Sequence, residues 1–410
     1  MSHKYDALVS RFRETLTQQR YHPVAVHNYC RNADYFLCYL AERRIALEVV
    51  TPTEVSIYLR RAVRTFGERH GRAPAPYWVS IPRAGIHGLL RLALKRWPPE
   101  SATSNAGELL CREVCSQYRT WLRDERGLAA ASIDALMWEA RYFCAWYIGR
   151  SETSNFMNLS IRDVDAYFEM RAPGLRRKSL KDVAERLRSI LRHLHRAGHT
   201  AVDLAPQVVA PLLYAYESIP STLGSDQIAT ILKAARRDQS PMGLRDCAIL
   251  QLLSTYGLRA GEITHLRLND IDWRAETLRI RHSKTGTHSL LPLMKPVGEA
   301  LMTYLRNGRP QTDAREIFIR SRAPYRAMSR IYSEVRRRME AAGVKPSGKR
   351  GPHIFRHARA VSLLRASIPR KVIGDLLGHR STEATIPYLK LATEDLRAIA
   401  LEIPGQEVRS

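Results

Sequence analysis

A helical unit that occurs twice in the first half of the chain limits the folds open to it. "DYFLCYLAER" at 34–43 matches "RYFCAWYIGR" at 141–150, each with aromatic and aliphatic residues at helical spacing. A helix-start signal follows both copies: "TPTEVSIYL" at 51–59 and "SIRDVDAYF" at 160–168. Thr51 with Glu54, and Ser160 with Asp163, have the spacing of an N-cap hydroxyl and an acid that reaches back to it. Pro52 suits a first helical turn. Each copy closes on an amphipathic segment, at 86–96 and 187–198. The offset between copies changes along the unit, so the repeat is a helical bundle with insertions and not a short solenoid period. The expectation is two all-α modules, 1–98 and 107–205.

The Pro- and Ser-containing stretch at 97–108 reads as a linker between them, and 210–224 as a second linker. The third unit, 222–410, carries helical patterns at 225–237, 241–256 and 260–267. The period then changes. In "ETLRIRHSKTGTHSLLPL" (276–293), Leu278 and Ile280 alternate with Arg279 and Arg281, and Gly286 stands where a hairpin turns. Helical spacing returns at 295–306, 328–342, 354–366, 369–377 and 382–391. A last apolar stripe at 393–403 can cap its own domain or dock on a neighbouring subunit. The expected fold is therefore mostly α: two tandem helical modules, then a mainly α domain with a small antiparallel sheet.

Charge narrows the function. Lys and Arg number 65 against 40 Asp and Glu, a formal net charge of +25. Like charge at this density repels itself and favours a polyanionic partner, and its spread along the whole chain favours nucleic acid over a membrane patch. No apolar run of membrane-spanning length occurs, and the N-terminus has no apolar signal core. Six scattered cysteines do not form a disulfide framework and fit a reducing, cytoplasmic setting. Cys111 and Cys115 are four apart, but no second ligand pair stands near them in sequence, which argues against a metal site.

The third unit holds the residues that can do chemistry. "YGLRAGEITHL" presents Arg259 between two glycines, and "GPHIFRHARA" opens a helix with His353 and Arg356 at i,i+3. Lys284 lies on the hairpin, and "LLGHRSTEATIPYLK" sets His379 nine positions before Tyr388. Metal-free cleavage of a phosphodiester needs a nucleophile, cations around the phosphate and an acid for the leaving oxygen. A tyrosine can be the nucleophile, two guanidiniums can fork onto phosphate oxygens, and a lysine among cations can serve as the acid. "HIFRH" lacks the Glu of a zinc-protease helix, and "KTG" lacks the Ser-x-x-Lys of a serine β-lactamase, so neither rival reading holds.

The order Arg, Lys, His-x-x-Arg, His, Tyr over 225–391 resembles the tyrosine recombinase (phage integrase) family. The resemblance implies that Arg259, His353, Arg356 and His379 hold the scissile phosphate, that Lys284 protonates the departing 5′-hydroxyl, and that Tyr388 forms a 3′-phosphotyrosyl link. Glu262, three after the first Arg, looks structural by the same analogy. The resemblance implies a site-specific recombinase of integrase or transposase type, with double-stranded DNA as partner and a tetramer as the working assembly. Accessory recombinases can take part, and a nucleoid-associated cytoplasmic location fits. No cofactor and no metal are implied. The segment 107–205 looks like the family's DNA clamp. The segment 1–98 looks like a second copy, contacting DNA or a subunit, which departs from the usual single clamp. Pro387 before Tyr388 predicts a break that lets the tyrosine segment move. "LRHLHRAGH" (191–199) reads as a DNA-facing helix edge, with a metal site as the less favoured alternative. Two rival readings remain at this stage: a type IB topoisomerase-like nicking and resealing enzyme, and a catalytically silent DNA-binding accessory protein.

Overall fold

The computed structural model describes residues 5–99, 105–151, 155–214, 222–282, 286–346, 348 and 350–378. The chain divides into two compact units, one made of Met1–Pro99 with Ile219–Ser410, the other of Glu100–Ser218.

In the first unit, residues up to 99 form α1 (Asp6–Gln18), α2 (Pro23–Glu42), α3 (Pro52–His70) and α4 (Ser80–Ala93). Their core gathers Phe12, Phe36, Leu37, Leu40, Ile86, Leu89 and Leu90, all buried. The expected cap at Thr51 forms: its backbone N–H donates to Glu54 Oε2 at 3.1 Å and its hydroxyl to the same oxygen. α4 lies directly on α2. A Cβ at Gly85 would stand 2.7 Å from the Tyr29 carbonyl oxygen, so only glycine permits this approach.

The second unit runs α5 (Ala106–Thr120), a π-turn at Trp121–Glu125, α6 (Ala130–Arg150), α7 (Ile161–Arg171) and α8 (Arg177–Arg196). Ser160 caps α7 by the same device, its backbone N–H reaching Asp163 Oδ2 at 2.9 Å and its hydroxyl at 2.7 Å. The repeated stretch keeps its burial pattern. Phe36 and Leu37 on α2, and Phe143 and Cys144 on α6, are fully buried, whereas the preceding Tyr35 and Tyr142 are exposed. α8 begins ten residues before the segment singled out in the sequence, because Val183, Ala184 and Leu187 continue its apolar stripe.

The segment 191–199 faces outward only in part. His193 is 5% exposed and packs against Tyr118 and Trp121, with ring centroids at 5.2 and 5.6 Å. Neither ring nitrogen has a hydrogen-bond partner among the described residues. Leu191 and Leu194 are also buried, which leaves Arg192, His195 and Arg196 on the outside.

The remainder of the first unit holds α9 (Ser225–Arg236), α10 (Pro241–Tyr256), α11 (Ala260–Thr264), β1 (Ile271–Asp272), β2 (Thr277–Arg281), β3 (His288–Pro292), α12 (Lys295–Asn307), α13 (Tyr332–Ala341), α14 (His353–Arg365) and α15 (Arg370–Leu377). The strands form an antiparallel sheet of order β1-β2-β3, with Leu278 opposite Leu291 and Arg281 opposite His288. The hairpin was legible in sequence, while the two-residue β1 was not. α10 is apolar on nearly all sides and sits inside the core. Two helices are shorter than their periodicity suggests. α11 stops at Thr264 because Leu266 and Arg267 turn to pair with Ile317 and Glu316. α13 starts at Tyr332 because Ala327 and Met328 pair with Ile319 and Phe318. The sequence patterns at 382–391 and 393–403 lie outside the described residues. Among the described residues, no helix is long and apolar enough to cross a membrane.

Burial, with smaller contributions from the His199 and Arg196 charges, pushes the His193 imidazole down to about 4. The unfolded chain takes up this proton below about pH 6.5, and the folded one resists until about 4. Stability should therefore fall as pH is lowered through that interval. His193→Phe removes a buried, unpartnered polar ring. Thermal melts of the full-length protein should show a higher Tm for the variant and a shallower decline between pH 6.5 and 4.

Candidate active site

α10 ends at Gly257, whose φ of 66° lies in the left-handed region. The chain then passes through buried Leu258 to Arg259, which stands extended just before α11. That short helix turns Glu262 back beneath Arg259. The Arg259 backbone N–H donates to Glu262 Oε2 at 2.8 Å, and its Nη1 donates to Oε1 at 2.8 Å. Glu262 is only 3% exposed, so it needs these donors.

A third donor comes from the hairpin. Along β2 the inward positions are Leu278 and Ile280, and the next in that alternation is His282, which is 2% exposed. Its Nδ1–H reaches Glu262 Oε1 at 2.8 Å, and its Nε2 pairs with the Ser289 hydroxyl at 2.8 Å. Burial by itself would raise the Glu262 pKa. The hydrogen bonds from His282 and from the Arg259 backbone and side chain, with the Arg259 charge, outweigh it and hold the carboxyl below its ordinary range.

Two arginines converge on the end of α15. Arg259 Nη2 donates to the Gly378 carbonyl at 2.9 Å. Arg356, on the first turn of α14 and 3% exposed, donates through Nη1 to the Gly257 carbonyl at 3.0 Å and through Nη2 to the Leu377 carbonyl. Consecutive carbonyls, Leu377 and Gly378, thus receive one guanidinium each. Gly378 has φ 61°, and a Cβ there would lie 2.6 Å from the His282 ring. The glycine of "LLGHRS" is required twice, for its backbone geometry and for contact with the histidine beneath it.

His353 opens α14 and is exposed, its ring centroid 6.2 Å from that of His357. Despite the i,i+3 spacing, His353 stands at the surface while Arg356 lies in the interior. Lys284, His379 and Tyr388 lie outside the described residues. The His282 N–H donates to the Thr287 carbonyl at 2.9 Å, and His379 directly follows Gly378 in the sequence. Sequence reasoning missed His282 as a part of this centre. The signal was available, because it continues the inward alternation of Leu278 and Ile280.

The fold is that of solved integrase and recombinase structures. The chain is similar in structure to a lambda integrase dimer bound to a COC′ core site (TM-score 0.53, 17% identity, 79% of this chain and 90% of that one). It is likewise similar to the XerH site-specific recombinase bound to its difH substrate (TM-score 0.52, 14% identity, 74% and 91%). In sequence, the phage integrase family matches residues 221–395. A Sinorhizobium fredii sequence named as the integrase/recombinase y4gC is 68% identical over 190 residues, covering 46% of this chain and 99% of its own length. A second from that organism, named as the integrase/recombinase y4rA, is 31% identical over 403 residues, covering 96% and 93%. The tyrosine recombinase XerD of Ralstonia nicotianae is 28% identical over 287 residues, covering 68% and 89%. This chain belongs to the phage integrase family of tyrosine recombinases.

Two substitutions test the buried anchor. Glu262→Ala leaves the Arg259 and His282 side chains without their common acceptor and should cost about 2–4 kcal/mol of stability, read by chemical denaturation. Gly378→Ala forces a left-handed backbone and a ring clash, and should cost at least about 2 kcal/mol by the same measurement.

Proposed function

We infer that this protein is a site-specific DNA recombinase that cuts and rejoins strands through a covalent tyrosyl intermediate. The observation that carries the reading is the convergence of Arg259 and Arg356 on the two carbonyls that immediately precede His379, in a member of this family. Guanidiniums hydrogen-bonded to neutral carbonyls bind an anionic phosphate more strongly, since the bond becomes charge-assisted on both sides. Each retains its charge throughout the reaction.

In this reading the Tyr388 phenolic oxygen attacks the scissile phosphorus in line. The bond from phosphorus to the 5′-oxygen breaks, Lys284 gives that oxygen a proton, and the DNA leaves with a free 5′-hydroxyl. The phosphate stays on Tyr388 through its 3′ side. Arg259, Arg356, His353 and His379 surround the charge that grows on the non-bridging oxygens. A 5′-hydroxyl from the second duplex then reverses the step and restores the tyrosine. Bond energy is conserved, so no nucleotide is consumed. Glu262 and His282 act at one remove: they fix Arg259 and support the turn before His379.

The same reading divides the chain into an N-terminal helical module at 1–98, a DNA clamp at 107–205 and a catalytic domain at 222–410. Separate apolar clusters within 12–97, 114–208 and 223–358 support that division. Strand exchange between two duplexes calls for four active centres, hence a tetramer. A lambda integrase tetramer bound to a Holliday junction has a similar fold (TM-score 0.52, 17% identity). Integration, excision or transposition of a mobile element is the biological setting proposed.

A duplex nicked near its cleavage site traps the covalent adduct, because the short 5′ fragment diffuses away. Wild-type protein should form an adduct that survives denaturation and is destroyed by protease. Tyr388→Phe should form none, and Arg259→Ala or Arg356→Ala should lower the rate by about a hundredfold or more. Equal adduct yield from wild type and Tyr388→Phe would refute the assignment. Relaxation of plasmids lacking a recombination site would instead indicate a topoisomerase.

A further inference from the structure

Cys111 and Cys115 stand four apart on α5, and the second unit brings a third cysteine to them. Cys144 comes from α6, far along the chain from the pair. α5 packs on α6, and Cys115 and Cys144 both lie in the core between them, 7% and 0% exposed. The Cys144 thiol donates a hydrogen bond to the Cys115 sulfur. Two sulfurs in contact across a helix pair are near the geometry from which a disulfide closes.

Cys115 is also open to a small reagent. A cavity of about 350 Å³ is lined by Cys111, Cys115 and Met137, with Arg112, Arg119 and Arg141 around it. Arg119 is engaged with Asp134 at 3.5 Å, while the charge of Arg141 acts on Cys115. The three thiols differ in how readily they ionise. The hydrogen bond from Cys144, and then the Arg141 charge, outweigh burial and hold the Cys115 thiol below its ordinary range. Giving that hydrogen bond, together with burial, pushes the Cys144 thiol well up. Burial pushes Cys111 up to about 11, with smaller contributions from Cys115 and Glu108. The thiolate is the nucleophile, so Cys115 is the reactive member, and Cys144 keeps its proton beside it.

The remaining cysteines are set differently. Cys30 and Cys38 lie on α2 and Cys247 on α10, and burial pushes all three thiols up. Among the described residues, no three His, Cys, Asp or Glu side chains are placed to hold a metal ion, which leaves the clustered sulfurs to thiol chemistry.

We propose that Cys115 and Cys144 form a peroxide-sensitive pair: a hydroperoxide entering the cavity oxidises Cys115, and Cys144 then closes a disulfide that ties α5 to α6. In the first step the Cys115 thiolate attacks the terminal peroxide oxygen. The O–O bond breaks, sulfur is oxidised to a sulfenic acid, and the released alkoxide takes the proton that Cys115 gave up, leaving as an alcohol (or as water, from hydrogen peroxide). In the second step the Cys144 sulfur attacks that of Cys115. The S–S bond forms, the S–O bond breaks, and the departing hydroxide leaves as water with the Cys144 proton. A bond of this kind is transient in a reducing cytoplasm, where thiols restore the pair. The chemistry does not depend on the recombinase reading.

The test uses the reduced full-length protein at neutral pH with a chelator present. A few equivalents of hydrogen peroxide are added, and the remaining thiols are then alkylated in denaturant. A non-reducing peptide map by mass spectrometry should show Cys115 joined to Cys144. Two of the six thiols should be lost to alkylation, and dithiothreitol should restore them. Cys144→Ser should stop at the sulfenic acid on Cys115, captured by dimedone, and Cys115→Ser should give neither product. Oxidation spread evenly over the six cysteines would overturn the proposal. So would a bond from Cys111 to Cys115 in its place, or a bond that appears only once the protein is denatured. The wild-type map needs no substitution, so a variant that melts early leaves the decision to it.

Discussion

A carboxylate taken out of water must be met by donors or it takes up a proton, and Glu262 is almost completely buried. It collects the Arg259 backbone N–H, the Arg259 guanidinium and the His282 ring. Those groups come from two parts of the chain, the α10–α11 junction and the strand leading into the hairpin. Satisfying one charge therefore fixes the hairpin base against the helix that presents the arginine. The interaction is not simply stabilising, because desolvation offsets much of the attraction in a buried pair. Its larger consequence is position: Arg259 has little freedom to swing away from the end of α15.

The second constraint is steric and depends on the first. His282, once pinned under Glu262, leaves no room for a side chain at 378. The turn that ends α15 can then settle on the imidazole, which brings the Leu377 and Gly378 carbonyls to the two guanidiniums. Arg356 also holds the Gly257 carbonyl, so the ends of α10 and α15 are joined by one side chain. A cationic centre of this kind is preorganised. In the proposed reading, little rearrangement is needed for a phosphate to replace a carbonyl as the acceptor.

The two N-terminal helical bundles share local features. Both start their third helix with the same capping device and bury the same positions of the repeated segment. They differ in what they show to solvent. Residues 1–99 carry 16 Lys and Arg against 7 Asp and Glu, and residues 100–218 carry 16 against 15. Core positions are dictated by packing, so repetition persists there, while surface charge can change without disturbing the fold.

Period and order made much of this legible in advance. The alternation across 276–293 gave the hairpin, Thr51 and Ser160 gave two helix starts, and the succession of Arg259, Lys284, His353, Arg356, His379 and Tyr388 pointed to the family. Such signals are local, or depend only on order along the chain, and so survive in one dimension. Which polar residues face inward was harder to read, even where the alternation of Leu278 and Ile280 pointed to His282. His193 sat in a motif that looked DNA-facing and is buried beside Tyr118 and Trp121. His282 looked like a strand residue beside a lysine and is the link between Glu262 and Gly378. Burial and hydrogen-bond partnership are set by elements far apart in the chain: Arg356 and Gly257 are separated by nearly a hundred residues yet share a bond. The sequence by itself determined the elements and the chemical repertoire. Only the tertiary structure decided which side chains the core desolvates, and desolvation is what turns an arginine, a glutamate and a histidine into a fixed cationic centre.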